Sequence, residues 1–569
     1  MTETSAAANF TQLAIFFLEQ CNSSTSCDQL FEALQHLAVM KASDEPNLKR
    51  VDHVWQLRSA FMIMTMQSGF ALLETGCVSS KNIANIMVKN IVDLAYGGLC
   101  YWMVGYGLSF GFPSNQFCGL GDFFVTDIPP ERMGSVYTTY FFQFSFASTA
   151  TTIVSGAVAE RMRLKAYIAY SFLSTFSYCI PAAWAWNEKG FLYHMGYYDL
   201  AGGFVVHGNG GAAAVVAALM LGPRKRRFQE PEHYRMSSPV TALGGTLILW
   251  WAWFAFNSGS TLGVEGESGL LWKVNGLITV NTLNGSVGGC VAGITLSMLL
   301  KKGQVDIGYL INSVLGGLVA ITAICSVTTP WESLIIGAIG SVLAIGTAEL
   351  LEMLQIDDPV GAIPVHFSAG VWSALAVGLF AKINFLKIPQ YNGLFHGGGF
   401  YLLGAELLGI VVITLWSTVT TYLFLLAIDY TMGIRMSEDE EILGADIVEH
   451  GVLNSDGLRG MAPSNSETGG LQGLRLEDLA RIVATAKEET EKGSHLSPSP
   501  ARQRKSATSR KRKPSLQIRK LSPINLIPTN NYHSINPRQA LRHNARPFLI
   551  DEAWNWRPNV PSTTSTQAS

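Results

Sequence analysis

From about Val54 to about Leu426 the chain alternates long apolar runs with short polar connections. A helix needs roughly 20 mostly apolar residues to cross a bilayer. Runs of that kind are read at residues 54–77, 83–110, 135–158, 166–186, 199–222, 239–260, 271–299, 307–327, 332–353, 361–385 and 399–428. They are expected to be helical, because an open strand would leave backbone groups unpaired in lipid. The pattern predicts an all-α polytopic membrane protein of about eleven transmembrane helices. Glycines recur inside the runs, as in Gly244-Gly-Thr, Gly285-Ser-Val-Gly-Gly289 and Gly316-Gly317, which suits helices packed backbone to backbone.

Composition agrees with this class. Of 569 residues 48% are hydrophobic and only 14% charged, too apolar a balance for one soluble core. Charge matters through its placement. Arg161-Met-Arg-Leu-Lys165, Arg224-Lys-Arg-Arg227 and Lys301-Lys302 follow the third, fifth and seventh runs, whereas the connections 111–134, 261–270 and 386–398 are poorer in Lys and Arg. The positive-inside rule then puts the N-terminus outside the cell and the C-terminus in the cytoplasm.

The ends read differently from the middle. Residues 1–50 are expected to be an extracellular segment: Leu13–Leu18 is too short to span, and neither a basic stretch before it nor a cleavage site after it marks a signal peptide. Asn9 and Asn22 begin glycosylation sequons, useful only if this end is outside. Cys21, Cys27 and Cys118 fall on that side, and a disulfide among them is left open, while Cys77, Cys100, Cys179, Cys290 and Cys325 read as buried thiols. Residues 51–432 form the transmembrane domain, 433–490 an acidic cytoplasmic segment with an amphipathic pattern at Leu471–Glu488, and 491–569 a disordered basic Ser/Pro-rich tail. The run Arg502–Lys520 suits anionic lipid, phosphorylation at Ser506 or Ser515, or plain solvation equally well.

One internal repeat organises the rest. Asp199-Leu-Ala-Gly-Gly-Phe-Val-Val-His-Gly-Asn-Gly-Gly211 and Asp358-Pro-Val-Gly-Ala-Ile-Pro-Val-His-Phe-Ser-Ala-Gly370 share the pattern Asp-x-x-Gly-x-x-x-Val-His-x-x-x-Gly. His207 and His366 are thus equivalent positions of an inverted repeat, runs 1–5 and 6–10, as in transporters whose working groups meet near the membrane midplane. A lone buried histidine is usually a satisfied core residue; a matched pair points to function. Their neighbours are Gly, Ala, Val and Phe, so a metal site, which needs further ligands, is the weaker reading. Neutral imidazoles in an apolar lane suit a small solute that donates hydrogen bonds or gives up a proton. Lys89 and Asp93, four apart on one helical face, are expected to pair with each other.

Aromatic residues supply a second constellation. Phe142-Gln-Phe-Ser-Phe146, Trp184-Ala-Trp186 and Trp251-Ala-Trp-Phe-Ala-Phe-Asn-Ser-Gly-Ser260 converge on the ends of runs three, four and six. Each alone reads as an interfacial belt; together they suit a vestibule that attracts a small cation. Asp199 fits as an N-cap of the helix carrying His207, with a field that favours cations at the same end.

Asp199 to His207, with Ala159-Glu-Arg-Met-Arg163, Trp253-Phe-Ala-Phe-Asn257 and Asp357-Asp-Pro…Val365-His366, resembles the ammonium transporter family (Amt/Mep/Rh superfamily), on its Amt side, over about residues 54–451. The resemblance implies a homotrimer of eleven-helix protomers in the plasma membrane, each with its own ammonium pore. It implies an outer substrate site of Phe142, Trp186 and Ser260 with Asp199 behind it, a gate of stacked Phe146 and Phe256, and a pore lined by His207, His366 and Trp253. It implies no cofactor, no metal and no nucleic-acid partner. Gly444-Ala-Asp-Ile-Val-Glu-His-Gly451 is similar to the family's cytoplasmic regulatory segment, with Val448 where plant members carry a phosphorylatable threonine. The expected function is ammonium transport, with an ammonium sensor of little flux as the alternative. An enzyme is the least expected class, since no nucleophile–base pair or nucleotide loop stands out.

Overall fold

The computed structural model describes the backbone of residues 25–452 apart from 267–268 and 385–388, with side chains from residue 49 onward. The chain divides into Met1–Glu489 and Thr490–Ser569, and every described residue belongs to the first unit. The sequons at Asn9 and Asn22, the Leu471–Glu488 pattern and the basic tail lie outside the described residues.

Among the described residues there are helices and isolated bridges but no sheet. A helix stands at each apolar run: α1 Thr25–Cys77, α2 in consecutive pieces from Ile83–Val92 to Tyr106–Phe110, α3 Pro130–Ala157, α4 Leu164–Trp186, α5 Gly203–Leu221, α6 Pro239–Gly259, α7 Leu271–Leu300, α8 Ile307–Thr322, α9 Pro330–Met353, α10 Ile363–Phe380 and α11 Tyr401–Met432. Six of them, α5, α6, α7, α9, α10 and α11, are long and apolar enough to cross a membrane, and α8 is a shorter apolar helix. Two short helices follow, α12 Glu438–Leu443 and α13 Ala445–His450. The first helix extends well N-terminal to the expected residue 54; its 53 residues make a rod of about 80 Å, against roughly 30 Å of bilayer core.

The halves interlock through matching elements. α1 packs on α6, its counterpart, so closely that a Cβ at Gly245 would lie 2.3 Å from the Leu73 nitrogen and one at Gly76 2.3 Å from the Ala242 nitrogen. α5 and α10 cross in the same way: a Cβ at Gly211 would stand 2.4 Å from the Phe367 nitrogen, and one at Gly370 3.0 Å from the Gly208 nitrogen. These are the last glycines of the two repeat copies. Their spacing after the histidines is set by the need to bring the two backbones together beside the rings.

The opposite end from the aromatic clusters is tied by buried charge. Arg224 pairs with Glu160 and, at 2.7 Å, with Asp357. Arg161 donates to the carbonyls of Gly222 and Asp357. Glu160 also accepts from the Ser79 amide and hydroxyl and from Asn82. Burial alone would raise the Asp357 carboxyl, yet the Arg224 guanidinium beside it holds it well below the usual range. The acidic C-terminal segment joins this knot. Asp446 accepts from the Ala84 and Asn85 amides at the start of α2, Glu449 from the Leu164 amide at the start of α4, and Arg435 binds Glu441 and the Leu221 and Pro223 carbonyls. Carboxylates at helix N-termini satisfy orphan amides and oppose the helix dipole favourably.

One expectation needs correction. Lys89 and Asp93 do not pair: Lys89 donates to the Met162 carbonyl at 2.9 Å, and Asp93 accepts from the Tyr167 hydroxyl at 2.7 Å. Their partners come from α4 and the turn before it, which helical spacing within α2 does not reveal. Cys118 carries a free thiol, so it belongs to no disulfide.

The buried charge knot has a pH consequence. Because the folded pKa of Asp357 is depressed, its contribution to stability is present above the unfolded value of about 3.9 and is lost as pH falls toward the folded one. The melting temperature of detergent-purified protein is therefore expected to drop as pH is lowered below about 5. Arg224→Met, which leaves two buried carboxylates without their partner, should lower stability by about 3–5 kcal/mol at neutral pH, read from the same melts.

Candidate functional site

The two repeat copies fold in the same way. Gly202 and Gly361, the first glycines of the motif, both adopt a left-handed backbone, at φ +86° and +82°, a region that favours glycine. The turn lets the preceding acid reach back over the helix start. Asp199 accepts the amides of Gly202, Gly203, Phe204 and Val205 at 2.8–3.0 Å, and Asp358 accepts those of Gly361 and Ile363. Each helix then opens with a π-helical turn, Gly203–Gly208 or Ile363–Ser368, that carries the histidine. Such turns widen the helix locally and often mark functional positions.

Between α5 and α10 the imidazoles meet. His207 Nδ1 lies 3.1 Å from His366 Nδ1, and the rings are nearly parallel at 5.2 Å between centroids. Their exposures are 0% and 5%. A hydrogen bond between these two nitrogens requires one to carry hydrogen and the other a lone pair. In the neutral pair one Nε2 is then an acceptor and the other a donor, and His207 Nε2 has no protein partner. Each ring is braced by the first helix of the opposite half: Trp253 of α6 stacks on His207 at 4.9 Å, and Phe70 of α1 lies 6.1 Å from His366. Trp253 is itself fixed by a hydrogen bond from its indole nitrogen to the Thr322 hydroxyl at 2.8 Å.

Above the histidines sits a closed ring pair. Phe146 and Phe256 stack with centroids 4.1 Å apart and 11° between planes, and Phe256 reaches to 5.5 Å from His207. Phe142 lies 5.0 Å from Phe146, and Trp186 meets Phe146 edge-on at 6.0 Å. Trp186 and Ser260 are half-buried, whereas Phe142, Phe146, Phe256 and Trp253 are buried. Of the nine residues singled out from the sequence, seven are joined by ring contacts, Phe142 and Trp186 to Phe146, Phe146 to Phe256, Phe256 to His207 and Trp253, and His207 to His366, and the Ser260 hydroxyl donates to the Phe256 carbonyl. Asp199 is the exception in kind. Its carboxylate faces the start of α5, so it shapes the site through its charge and its cap, while its carbonyl accepts the Trp186 indole N–H at 2.7 Å. Phe70 and Thr322 were not expected. Superposing α1 on α6 through the repeat would have pointed to Phe70.

Among the described residues no cluster of His, Cys, Asp or Glu fits a metal ion. The rings and the imidazoles form one buried cluster, with Trp186 half-buried at its edge.

The profile of the Ammonium Transporter Family matches residues 54–454. The chain belongs to the ammonium transporter family. It is 41% identical over 422 residues, 72% of its length, to "Putative ammonium transporter 3" of Caenorhabditis elegans, and that match spans 61% of the relative. It is 36% identical over 421 residues to "Ammonium transporter Amt2" of Archaeoglobus fulgidus, covering 71% of this chain and 88% of the relative. Among solved structures, "Sensor Amt Protein" aligns with a TM-score of 0.64 and 34% identity over 71% of this chain and all of its own. The crystal structure of Candida albicans Mep2 aligns with a TM-score of 0.63 and 27% identity, covering 71% of this chain and 90% of Mep2. All of these place the molecule among multi-pass membrane proteins, as its apolar helices do.

The cap predicts a stability order. Asp199→Ala leaves four buried amides without their acceptor, each costing about 1–3 kcal/mol if nothing replaces it, while Asp199→Asn keeps one carbonyl oxygen in place. Melting temperatures should fall in the order wild type, Asp199→Asn, Asp199→Ala, measured on purified protein.

Proposed function

We propose that this protein moves ammonium across the plasma membrane as ammonia, and the observation that carries the proposal is the buried imidazole pair directly behind a stacked ring gate. A cation at bilayer depth costs several kcal/mol, and ammonium and potassium are close in size. Deprotonation removes both difficulties. Ammonium is held at the mouth by Trp186, Phe142 and Ser260, where ring faces attract a cation by about 0.5–2 kcal/mol each, and the Asp199 field favours the same charge. One N–H bond then breaks, the electron pair stays on nitrogen, and the proton passes to a base at the mouth or on the imidazoles. Ammonia crosses the Phe146–Phe256 gate and slides along His207 and His366, whose acceptor and donor Nε2 atoms match its hydrogens and its lone pair. Potassium has no proton to lose.

In this reading all eleven helices α1–α11 cross the bilayer, with residues 1–50 and the aromatic mouth outside and residues 433–569 in the cytoplasm. The basic connections after the third, fifth and seventh helices support that orientation. Many apolar side chains remain exposed on α6, α7, α9 and α11, among them Trp251, Val291, Trp331 and Leu415, which suits contact with lipid and with two further copies in a homotrimer. Asn9 and Asn22 would carry glycans on the outer side. A second reading, an ammonium sensor signalling through its tail, has one specific support: a solved relative with 34% identity is named a sensor. The closed, complete gate and the paired imidazoles favour flux.

The test is labelled methylammonium uptake, with current recorded, in oocytes expressing the wild type, His207→Ala or Phe256→Trp at matched surface levels. Wild-type uptake should exceed that of uninjected cells at least tenfold, and both variants should fall well below wild type. Uptake no greater than in uninjected cells contradicts transport and leaves the sensor reading.

A further inference from the structure

The loop from Tyr197 to Leu200 ends in the residues that build the mouth. Its Asp199 carbonyl holds Trp186 and its Asp199 carboxylate caps the His207 helix. Half 2 touches it twice: Leu200 N–H donates to the Ala323 carbonyl at 3.1 Å, and the hydroxyls of Tyr198 and Ser326 meet at 2.6 Å. The Tyr197 N–H donates to the Leu192 carbonyl at 3.1 Å, and a further grip comes from α11, which lies outside the repeat. Glu406 accepts the Tyr198 N–H through Oε1 at 2.8 Å. Gly409, one turn further, makes room for the Tyr197 ring, since a Cβ there would lie 2.3 Å from Tyr197 Cε2.

Glu406 is unusual among the acids of this domain. It is 0% exposed, and its Oε2 has no hydrogen-bond partner, in contrast to Asp199 nearby with four amides on its two oxygens. Among the described residues Glu406 forms no salt bridge. Its accepted Tyr198 N–H makes it a clamp from α11 on the loop.

We infer that Glu406 is a positioning residue of the mouth: through the Tyr198 N–H it fixes the loop that orients Trp186 and the Asp199 cap. This rests on the transport reading above and extends it to a residue that no motif marks. Glu406 touches no substrate. Its effect is on the geometry of capture, so it enters the apparent KM and leaves the rate of passage beyond the gate largely unchanged.

The experiment measures KM and Vmax for methylammonium in oocytes expressing wild type, Glu406→Gln, Glu406→Leu and Gly409→Ala, with surface protein quantified. Glu406→Leu removes the acceptor and should raise KM at least fivefold with Vmax changed less than twofold. Glu406→Gln keeps a carbonyl oxygen for Tyr198 and should stay within twofold of wild type on both. Gly409→Ala, which crowds Tyr197, should raise KM at least threefold. If Glu406→Leu fails to reach the surface, Glu406→Gln and Gly409→Ala decide. An unchanged KM in Glu406→Leu or in Gly409→Ala, or a Glu406→Gln raised as far as the variants that disturb the loop, overturns the inference. Wild-type uptake in the same cells separates the two claims: normal wild-type uptake with an unaltered KM in the variants sinks the positioning role alone, whereas absent wild-type uptake sinks both.

Discussion

The hydrogen bond between His207 and His366 is the constraint to which the other features of this structure answer. Two imidazole nitrogens 3.1 Å apart share one hydrogen between them, one ring donating and the other accepting. Bringing them that close demands that two helices from opposite halves cross with no side chains between them. Gly211 and Gly370 provide the crossing, Gly202 and Gly361 provide the turns before it, and Asp199 and Asp358 close the exposed helix starts. A single sequence pattern, used twice, supplies every part.

Around that crossing the molecule keeps charge at its ends and dipoles at its centre. The proposed transport relies on rings and the Asp199 field to favour a cation ahead of Phe146 and Phe256, which stack with centroids 4.1 Å apart. At the opposite end Arg224, Glu160, Asp357 and the acids of residues 441–449 bind the connections α1–α2, α3–α4, α5–α6 and α9–α10 to the C-terminal segment. Asp357 precedes Asp358, the cap of the His366 helix, by one residue. The buried charge knot and one of the two histidine-bearing helices are therefore built on the same short connection.

Much of this was legible in the residues, and the exceptions have a common cause. Apolar run length located where helices form, and six of them are long and apolar enough to cross a membrane, because lipid imposes a period-independent rule on any spanning segment. The repeat located both histidines, both caps and the glycines, because identical backbone problems at two symmetric places select identical residues. What failed were statements about partners. Lys89 and Asp93 looked like a pair on one helix face, yet the Met162 carbonyl and Tyr167 reach them from elsewhere in the chain. Phe70 and Thr322 carry no motif, and Glu406 sits in an apolar run outside the repeat where nothing marks it as a clamp. The N-terminal extension of α1 through polar positions escaped because a hydropathy reading sees only the part that would meet lipid. Contacts across elements are set by packing in three dimensions, and a linear pattern records them only when symmetry writes them twice.

The central claim is that a solute passes the imidazole pair only in uncharged form. Its most direct test compares rubidium with methylammonium in liposomes containing the purified protein, under an inside-negative potential. Rubidium is a cation with no proton to lose. The account predicts rapid methylammonium uptake with rubidium uptake no greater than in protein-free liposomes; rubidium entering at a rate comparable to methylammonium would contradict it.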